Sequence, residues 1–165
     1  MSKSILLSIR PQWVEKILNG EKTIEVRKQF PKDYVGWVYI YCTKGEQELN
    51  YHSSTQIILG KTDLTSYGLN GKVVARFYCD KVEEISAKNI ESFTKDSCLT
   101  VKQIEDYLWK NICNGYAIHI SKLEIFNRPK YLTEYYKTYI ETEKGIYYQV
   151  LTKAPQNYCY IEGEE

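Results

Sequence analysis

One stretch near the start of the chain decides the fold: residues 7–27, with the sequence LSIRPQWVEKILNGEKTIEVR. It predicts a strand, a helix, a turn and a second strand, in that order. Ser8 and Arg10 alternate with apolar residues in the first strand, so they share its polar side. Pro11 opens the helix, where a missing N–H costs nothing, and Gly20 supplies the left-handed residue at which a helix ends.

The second strand of this stretch is amphipathic. Ile24 and Val26 alternate with Thr23, Glu25 and Arg27. This alternation places the aliphatic side chains in the core and the polar ones in a row on the other face. The polar row has two interpretations. It is either a solvated face with a Glu25–Arg27 ion pair, which stabilises by less than about 1 kcal/mol, or part of a binding site.

Lys22 joins this row only under one condition. It precedes Glu25 by three residues, an odd separation that would put the two side chains on opposite faces of a regular strand. The charged groups converge if Lys22 still belongs to the turn that follows Gly20. We therefore predict that Lys22, Glu25 and Arg27 share one hollow.

The same residues carry a resemblance to a known family. The ASCH domain, a branch of the PUA-like superfamily, has a G-x-K-x-x-E-x-R pattern after an N-terminal strand and helix. That pattern is matched without a gap by Gly20, Lys22, Glu25 and Arg27. The chain also resembles ASCH proteins of the bacterial and phage type in three later segments, in the right order: residues 116–121, 125–129 and 154–160.

This resemblance implies both a fold and a class of ligand. The expected fold class is α+β, with a small PUA-like β-barrel of roughly five to seven strands and flanking helices. A cleft is expected beside the lysine, the glutamate and the arginine of the motif. In this superfamily such clefts are associated with RNA or modified nucleosides, so RNA or a modified nucleoside is the expected partner.

The length of the chain, 165 residues, suits a single domain over residues 1–165. Residues 44–70 and 137–150 lie outside the resemblance. Residues 44–70 are polar and irregular apart from a short apolar run, and we interpret them as an insertion. Loops of this length tend to be functional or disordered, so the insertion either acts as a lid over the cleft or decorates the barrel.

Charge and cysteine content limit the possible partners. The net charge is +1, so affinity for phosphates must be local or weak. Five scattered cysteines without a C-x-x-C pair, and only two histidines, indicate a reduced cytoplasmic protein without a zinc site. We expect no metal and no cofactor. No segment is long and apolar enough to span a bilayer and no signal peptide is present, so no membrane partner is expected.

Apolar periodicity and turn signals place the remaining elements. Strands are expected at residues 37–42, 72–85 with a bend near Asp80, 116–126 ending before Pro129, and 158–161. Thr100 and Gln103 form a capping-box pattern. This pattern predicts a helix whose apolar stripe contains Val101, Ile104, Tyr107, Leu108 and Ile112. Residues 131–137 are expected to form a short helix.

Binding is the function that requires least of these residues. Lys22 and Arg27 could hold a phosphate or a carbonyl, and Glu25 could accept a hydrogen bond from the exocyclic amine of a base. Trp13 is a candidate for stacking, although its place on the apolar stripe of the first helix favours the core. The other predicted ligand- or RNA-binding residues are Ser8, Arg10, Thr23, Tyr39, Tyr41, His119 and Tyr158.

Two other classes of function remain open. One is a small hydrolase in the same cleft, with Lys22 and Glu25 as catalytic residues, acting on an acylated nucleoside or on RNA. The ASCH amidohydrolases use a threonine three residues after the lysine, and here Glu25 stands at that position. Thr23 lies about 6–7 Å from it along a strand, so it is not an equivalent nucleophile, whereas a carboxylate such as Glu25, or His119, could act as a base. The other class is an accessory protein that binds another protein.

Overall fold

The computed structural model describes residues 3–46, 48–52, 57–59, 66–109 and 114–163. The fold is α+β, as expected. In chain order, the strands of the described residues are β1 (Lys3–Ile9), β2 (Ile24–Arg27), β3 (Gly36–Cys42), β4 (Leu49–His52), β5 (Ile57–Leu59), β6 (Ser66–Gly68), β7 (Lys72–Cys79), β8 (Val82–Ile85), β9 (Gly115–His119), β10 (Ser121–Lys130), β11 (Tyr136–Thr142), β12 (Gly145–Val150) and β13 (Tyr158–Glu162). The α-helices of the described residues are α1 (Pro11–Leu18), α2 (Thr94–Ser97) and α3 (Val101–Leu108).

Two sheets form the body of the protein. The larger has the strand order β10-β7-β3-β1-β13, in which β1 and β3 are parallel and the other neighbours antiparallel. The smaller has the order β2-β9-β8 and is antiparallel. The edge strands β10 and β13 of the larger sheet do not pair with each other within the described residues. The closed barrel that we expected is therefore not confirmed.

The chain passes between these sheets at two corners. The segment 72–85 forms β7 in the larger sheet and β8 in the smaller one, with the break at Asp80 and Lys81. The segment 115–130 does the same in reverse, since β9 ends at His119 and β10 begins at Ser121. The sequence predicted one strand at 72–85, with a bend near Asp80, and one strand at 116–126. The bend near Asp80 is confirmed, whereas the division of each strand between two sheets was not predicted. The bend is needed because strands that change sheets turn a corner between two packed layers.

The first core lies between the larger sheet and α1. Alternate residues of β1, among them Leu7, pack with Val14 and Ile17 of α1, as the spacing predicted. A second core joins the smaller sheet to α3, where Ile24 contacts the cluster that contains Ile104. Both faces of the larger sheet are covered near β1, because a third core contains residues such as Leu6, Tyr39 and Leu151.

Several local predictions are confirmed and some need correction. Pro11 occupies the first turn of α1, Gly20 has φ +77°, and Thr100 and Gln103 form both bonds of the capping box. The short helix expected at 131–137 is shorter than predicted, because a 3-10 helix forms only at Leu132–Glu134 and β11 begins at Tyr136. Pro129 lies inside the edge strand β10, where a missing N–H is tolerated. Ile112 lies outside the described residues.

The segment 44–70, which we interpreted as an insertion, contains the strands of a third sheet, with the order β5-β4-β6. Leu49 and Leu69, at its two ends, are buried in the first core, so the insertion is anchored to the body at both ends. Among the described residues, none of the helices combines the length and the apolar character needed to cross a membrane.

Candidate functional site

A pocket of about 590 Å³ lies between the end of β1, α1, β2 and α3. Its volume falls within the range of about 300–1,000 Å³ that holds small ligands. The pocket contains the motif of charged residues predicted from the sequence. Its lining residues are Ser8, Ile9, Arg10, Trp13, Lys22, Glu25, Val26, Arg27, Thr43, Leu99, Gln103, Asp106, Tyr107 and Gln156.

Lys22, Glu25 and Arg27 form a continuous chain of ion pairs. The Nζ of Lys22 lies 3.3 Å from Oε2 of Glu25, and the Nε of Arg27 lies 3.0 Å from Oε1. The exposed fractions of the three side chains are 2%, 7% and 11%. The predicted convergence of the three charged groups is therefore confirmed. The Glu25–Arg27 ion pair is largely buried rather than solvated.

The turn after Gly20 brings Lys22 into this network. Lys22 precedes β2, and its backbone N–H donates to the carbonyl oxygen of Lys16 in α1. Its Nζ donates to the carbonyl oxygen of Ser97 at 2.7 Å and lies 5.3 Å from the ring centroid of Trp13. Trp13 packs against the first core, as its helical position predicted, and is half-buried because it also lines the pocket.

All three nitrogens of the Arg27 guanidinium donate hydrogen bonds. Besides Glu25, it donates from Nη1 to Oδ1 of Asn157 at 3.1 Å and from Nη2 to the carbonyl oxygen of Ser8 at 2.6 Å. Asn157 in turn donates to the carbonyl oxygen of Gln29. Arg27 thus has a fixed orientation, and it joins the first strand, the second strand and the C-terminal segment.

The electrostatics of the network favour an electron-rich ligand. Two cations and one carboxylate leave a formal charge of +1 where water is largely excluded. Charge–charge interactions in such sites are stronger than in bulk water. Oε1 of Glu25 accepts a hydrogen bond from Arg27 and Oε2 forms an ion pair with Lys22, so the carboxylate retains lone pairs for a further donor. The site can therefore offer Glu25 to a ligand N–H and its net positive field to a phosphate or a carbonyl.

Helix α3 forms a wall that the sequence did not reveal. Gln103, Asp106 and Tyr107 line the pocket, and the Nζ of Lys28 lies 5.2 Å from the ring centroid of Tyr107. Tyr107 was assigned to the apolar stripe of the helix, yet it is 40% exposed. The only available signal was the polar side of this helix, because its contact with β2 is made between residues distant in the sequence.

Ser8 and Arg10 line the pocket as predicted, but the strand arrangement that brings them there differs from the one we expected. We expected them there only if the first two strands lay side by side, and β1 and β2 belong to different sheets. Ser8 takes part through its carbonyl oxygen, which accepts from Arg27. Its hydroxyl donates to the carbonyl oxygen of Pro155 at 2.7 Å. Arg10 is exposed at the pocket rim.

Five predicted site residues do not line this pocket: Thr23, Tyr39, Tyr41, His119 and Tyr158. Tyr39 and Tyr41 lie in the third core, on the face of β3 turned away from α1. Tyr158 packs at the edge of the first core, its ring centroid 5.6 Å from that of Phe30. Thr23 lies immediately before β2 and is exposed.

His119 points away from the pocket because of strand pairing. It lies opposite Ile24 in the β2–β9 ladder, so it is on the other face of the sheet from Glu25. Its Nε2 lies 2.6 Å from Oε2 of Glu83. Lys81 also bonds to that carboxylate, and these contacts, Lys81 first, hold the pKa of Glu83 below its usual range.

The cysteines give no sign of a reactive thiol in the cores. Burial raises the pKa of Cys42 to about 12 and that of Cys79 to about 11. Cys98 and Cys159 are half-buried and free, and Cys113 lies outside the described residues. In the part of the chain that the structure describes, no group of three or more His, Cys, Asp or Glu side chains could hold a metal ion.

Comparison with known proteins identifies the fold. No protein-family model and no curated protein matches the chain. Among solved structures, the ASCH protein of Zymomonas mobilis matches with a TM-score of 0.55 and 18% identity, over 78% of this chain and 73% of that one. A Tyr-to-Phe variant of that protein gives 0.57 and 17%, covering 79% and 77%. A Ser-to-Ala variant gives 0.63 and 16%, covering 96% and 88%.

These matches define the class of fold. The chain has the fold of the ASCH domain, as the G-x-K-x-x-E-x-R motif predicted. The likeness extends over most of the chain in the match that covers 96% of it. Identities of 16–18% carry the fold but not an activity or a ligand, which have to be argued from the pocket itself.

Proposed function

We propose that this protein binds RNA or a nucleoside in the pocket lined by Lys22, Glu25 and Arg27. The observation that carries the proposal is the buried network of these three side chains, whose net positive charge faces a pocket of suitable volume. The ASCH motif and the ASCH fold support the same conclusion. The reduced, scattered cysteines fit a cytoplasmic setting, and the two sheets would be an open form of the PUA-like barrel.

The base and the phosphate of a nucleotide each have a suitable partner in the pocket. Trp13 and Tyr107 supply aromatic surface, and bases of single-stranded RNA stack on such side chains. Glu25 would accept a hydrogen bond from an exocyclic amine, as acidic side chains do from cytosine. Arg10, exposed at the rim, is placed for a phosphate. The fixed bonds of Arg27 make it the support for Glu25 rather than the main ligand contact.

Calorimetric titration with cytidine monophosphate and uridine monophosphate tests this proposal. The two ligands differ at the position where cytosine has an amine and uracil a carbonyl. We expect the wild type to prefer cytidine monophosphate by about tenfold, which corresponds to about 1.4 kcal/mol. Glu25→Gln should weaken binding and remove most of that preference, because an amide is both donor and acceptor.

Two controls separate binding from folding. Glu91→Gln makes the same change on an exposed residue outside the pocket and should leave both affinities unchanged. Tyr107→Ala alters the exposed wall without touching the ion pairs, so it tests the pocket even if Glu25→Gln destabilises the protein. Equal affinity of wild type and Tyr107→Ala for both ligands would contradict the proposal.

The same samples decide between binding and catalysis. Hydrolysis of an acylated cytidine or of RNA by the wild type, lost in Lys22→Ala and Glu25→Gln, would make the pocket an active site with these two catalytic residues. Absence of both binding and turnover would leave the accessory protein-binding class.

A further inference from the structure

Two neighbouring strands carry a local excess of positive charge. β7 and β10 pair with each other and together carry five cations and one carboxylate. These residues are Lys72, Arg76, Lys122, Arg128 and Lys130, with Glu124 as the carboxylate. The whole chain has a net charge of only +1, so the rest of the protein is net acidic. This is the local excess that phosphate binding by a nearly neutral protein requires.

Aromatic side chains lie among these cations on the outer face of the larger sheet. The guanidinium carbon of Arg76 lies 4.3 Å from the ring centroid of Trp37. The Nζ of Lys122 lies 5.3 Å from the ring of Tyr78. We call the surface formed by Trp37, Arg76, Tyr78, Lys122, Phe126 and Lys130 the basic sheet face. None of its residues lines the pocket.

Phe126 and Lys130 extend the same pattern along β10. The Nζ of Lys130 lies 5.3 Å from the ring centroid of Phe126. Each of the three aromatic rings on the basic sheet face therefore has a cation beside it. Trp37 and Tyr78 also contact each other edge to face, with their ring centroids 5.5 Å apart.

The third core covers the neighbouring part of this side of the sheet, and the basic sheet face lies at its border. Tyr135 and Leu151 pack there with Leu6, Tyr39 and Ile161, and Trp37 and Phe126 pack against the same cluster. Trp37, Tyr78 and Phe126 remain half-buried, and Lys122 is exposed. The side chain of Arg76 is 24% exposed.

The contacts of Arg76 leave it suited to stacking. Its Nε donates to Oε2 of Glu124 at 2.7 Å and its Nη1 to the hydroxyl of Tyr39 at 3.2 Å. These bonds fix the plane of the guanidinium over Trp37. Bases of single-stranded nucleic acid stack on arginine planes and on aromatic rings alike.

We propose that the basic sheet face binds a single strand of nucleic acid, with bases stacked on its rings and phosphates held by Lys122 and Lys130. This site is separate from the pocket and extends the contact of the protein with RNA beyond one nucleotide. A β-sheet surface suits this ligand because its side chains project at regular intervals toward one side. The excess of positive charge on β7 and β10 makes a polyanion the matching partner.

Fluorescence anisotropy with a labelled oligouridylate of about 12 nucleotides tests the proposal on the full chain. The variant Lys122→Gln/Lys130→Gln removes two charges and leaves a polar side chain, one atom shorter than lysine, at each position. We expect it to weaken binding by about tenfold. The slope of log affinity against log salt, measured from about 50 to about 200 mM, should become shallower by about 1.4, because each phosphate contact to a single strand contributes about 0.7. The matched control Lys32→Gln/Lys88→Gln changes the charge equally at exposed sites outside the face and should stay within about twofold of the wild type.

A second variant separates stacking from charge. Tyr78→Leu removes a ring and leaves the charge unchanged, so it should weaken binding by about tenfold without altering the salt slope. Equal binding by the Lys122→Gln/Lys130→Gln variant and its control would overturn the proposal. Equal competition by polyglutamate would also overturn it, because the face would then recognise acidic protein chains in general.

The Glu25→Gln variant distinguishes the proposal for the basic sheet face from the proposal for the pocket. If Glu25→Gln alone loses the oligouridylate, the pocket is the site of RNA binding and the basic sheet face is not. If Glu25→Gln loses nucleoside monophosphates while the oligouridylate still binds through Lys122 and Lys130, the proposed face is supported independently of the pocket.

Discussion

Arg27 shows how a residue can be correctly selected from sequence and yet have a different role. Its alternation with Ile24 and Val26 placed it on the polar face with Glu25, and the 3.0 Å ion pair agrees. Its bonds to Ser8 and Asn157 could not be predicted, because they depend on where the first strand and the C-terminal segment lie in space. They make Arg27 a positioning residue for Glu25.

Asn157 is the residue whose change tests this role. Asn157→Ala removes the acceptor for Nη1 of Arg27 and the donor to Gln29. We expect a loss of about 1–2 kcal/mol in the free energy of unfolding and several-fold weaker binding of cytidine monophosphate. Asn157→Asp keeps the acceptor for Arg27, so it should retain more of the affinity than Asn157→Ala in parallel calorimetric titrations. Equal affinities of the two variants would contradict a positioning role.

Elements whose signals are local were predicted well from the sequence. Helix α1 begins at Pro11 and is followed by Gly20, and α3 begins with the capping box of Thr100. The errors in predicting elements occur where the pairing of a strand with distant strands decides the structure. The segments 72–85, with a bend near Asp80, and 116–126 were each predicted as one strand, yet each changes sheets because its two halves pair with different strands.

Replacement of Gly20, in the turn after α1, has the clearest expected cost in stability. Its φ is +77°, and an added Cβ would meet nothing within 4 Å. Gly20→Ala therefore costs only backbone strain, about 1 kcal/mol, which should lower Tm by about 2–4 °C. Gly68 is the matched control, since its surroundings are equally open and its φ is ordinary. A Tm for Gly20→Ala equal to that of Gly68→Ala would show that the left-handed turn is not needed.

At the scale of the whole molecule, two surfaces of different chemistry lie on one ASCH-type fold. The pocket is enclosed and holds a short buried chain of ion pairs. The basic sheet face is partly exposed and is formed by β3, β7 and the edge strand β10 of the larger sheet. The net charge of only +1 did not reveal the basic sheet face, because the composition adds the charges of all surfaces together. The motif located the pocket, but its α3 wall depended on long-range packing.

The three tryptophans allow the pocket to be tested in one measurement. Trp13 lies at the pocket, Trp37 at the basic sheet face, and Trp109 packs beside the second core. Their indole N–H signals can be followed by ¹⁵N-resolved NMR during titration with cytidine monophosphate. We predict that the signal of Trp13 shifts in a saturable manner while those of Trp37 and Trp109 stay in place. A titration in which Trp13 does not move, or moves no more than Trp109, would contradict a ligand site formed by Lys22, Glu25 and Arg27.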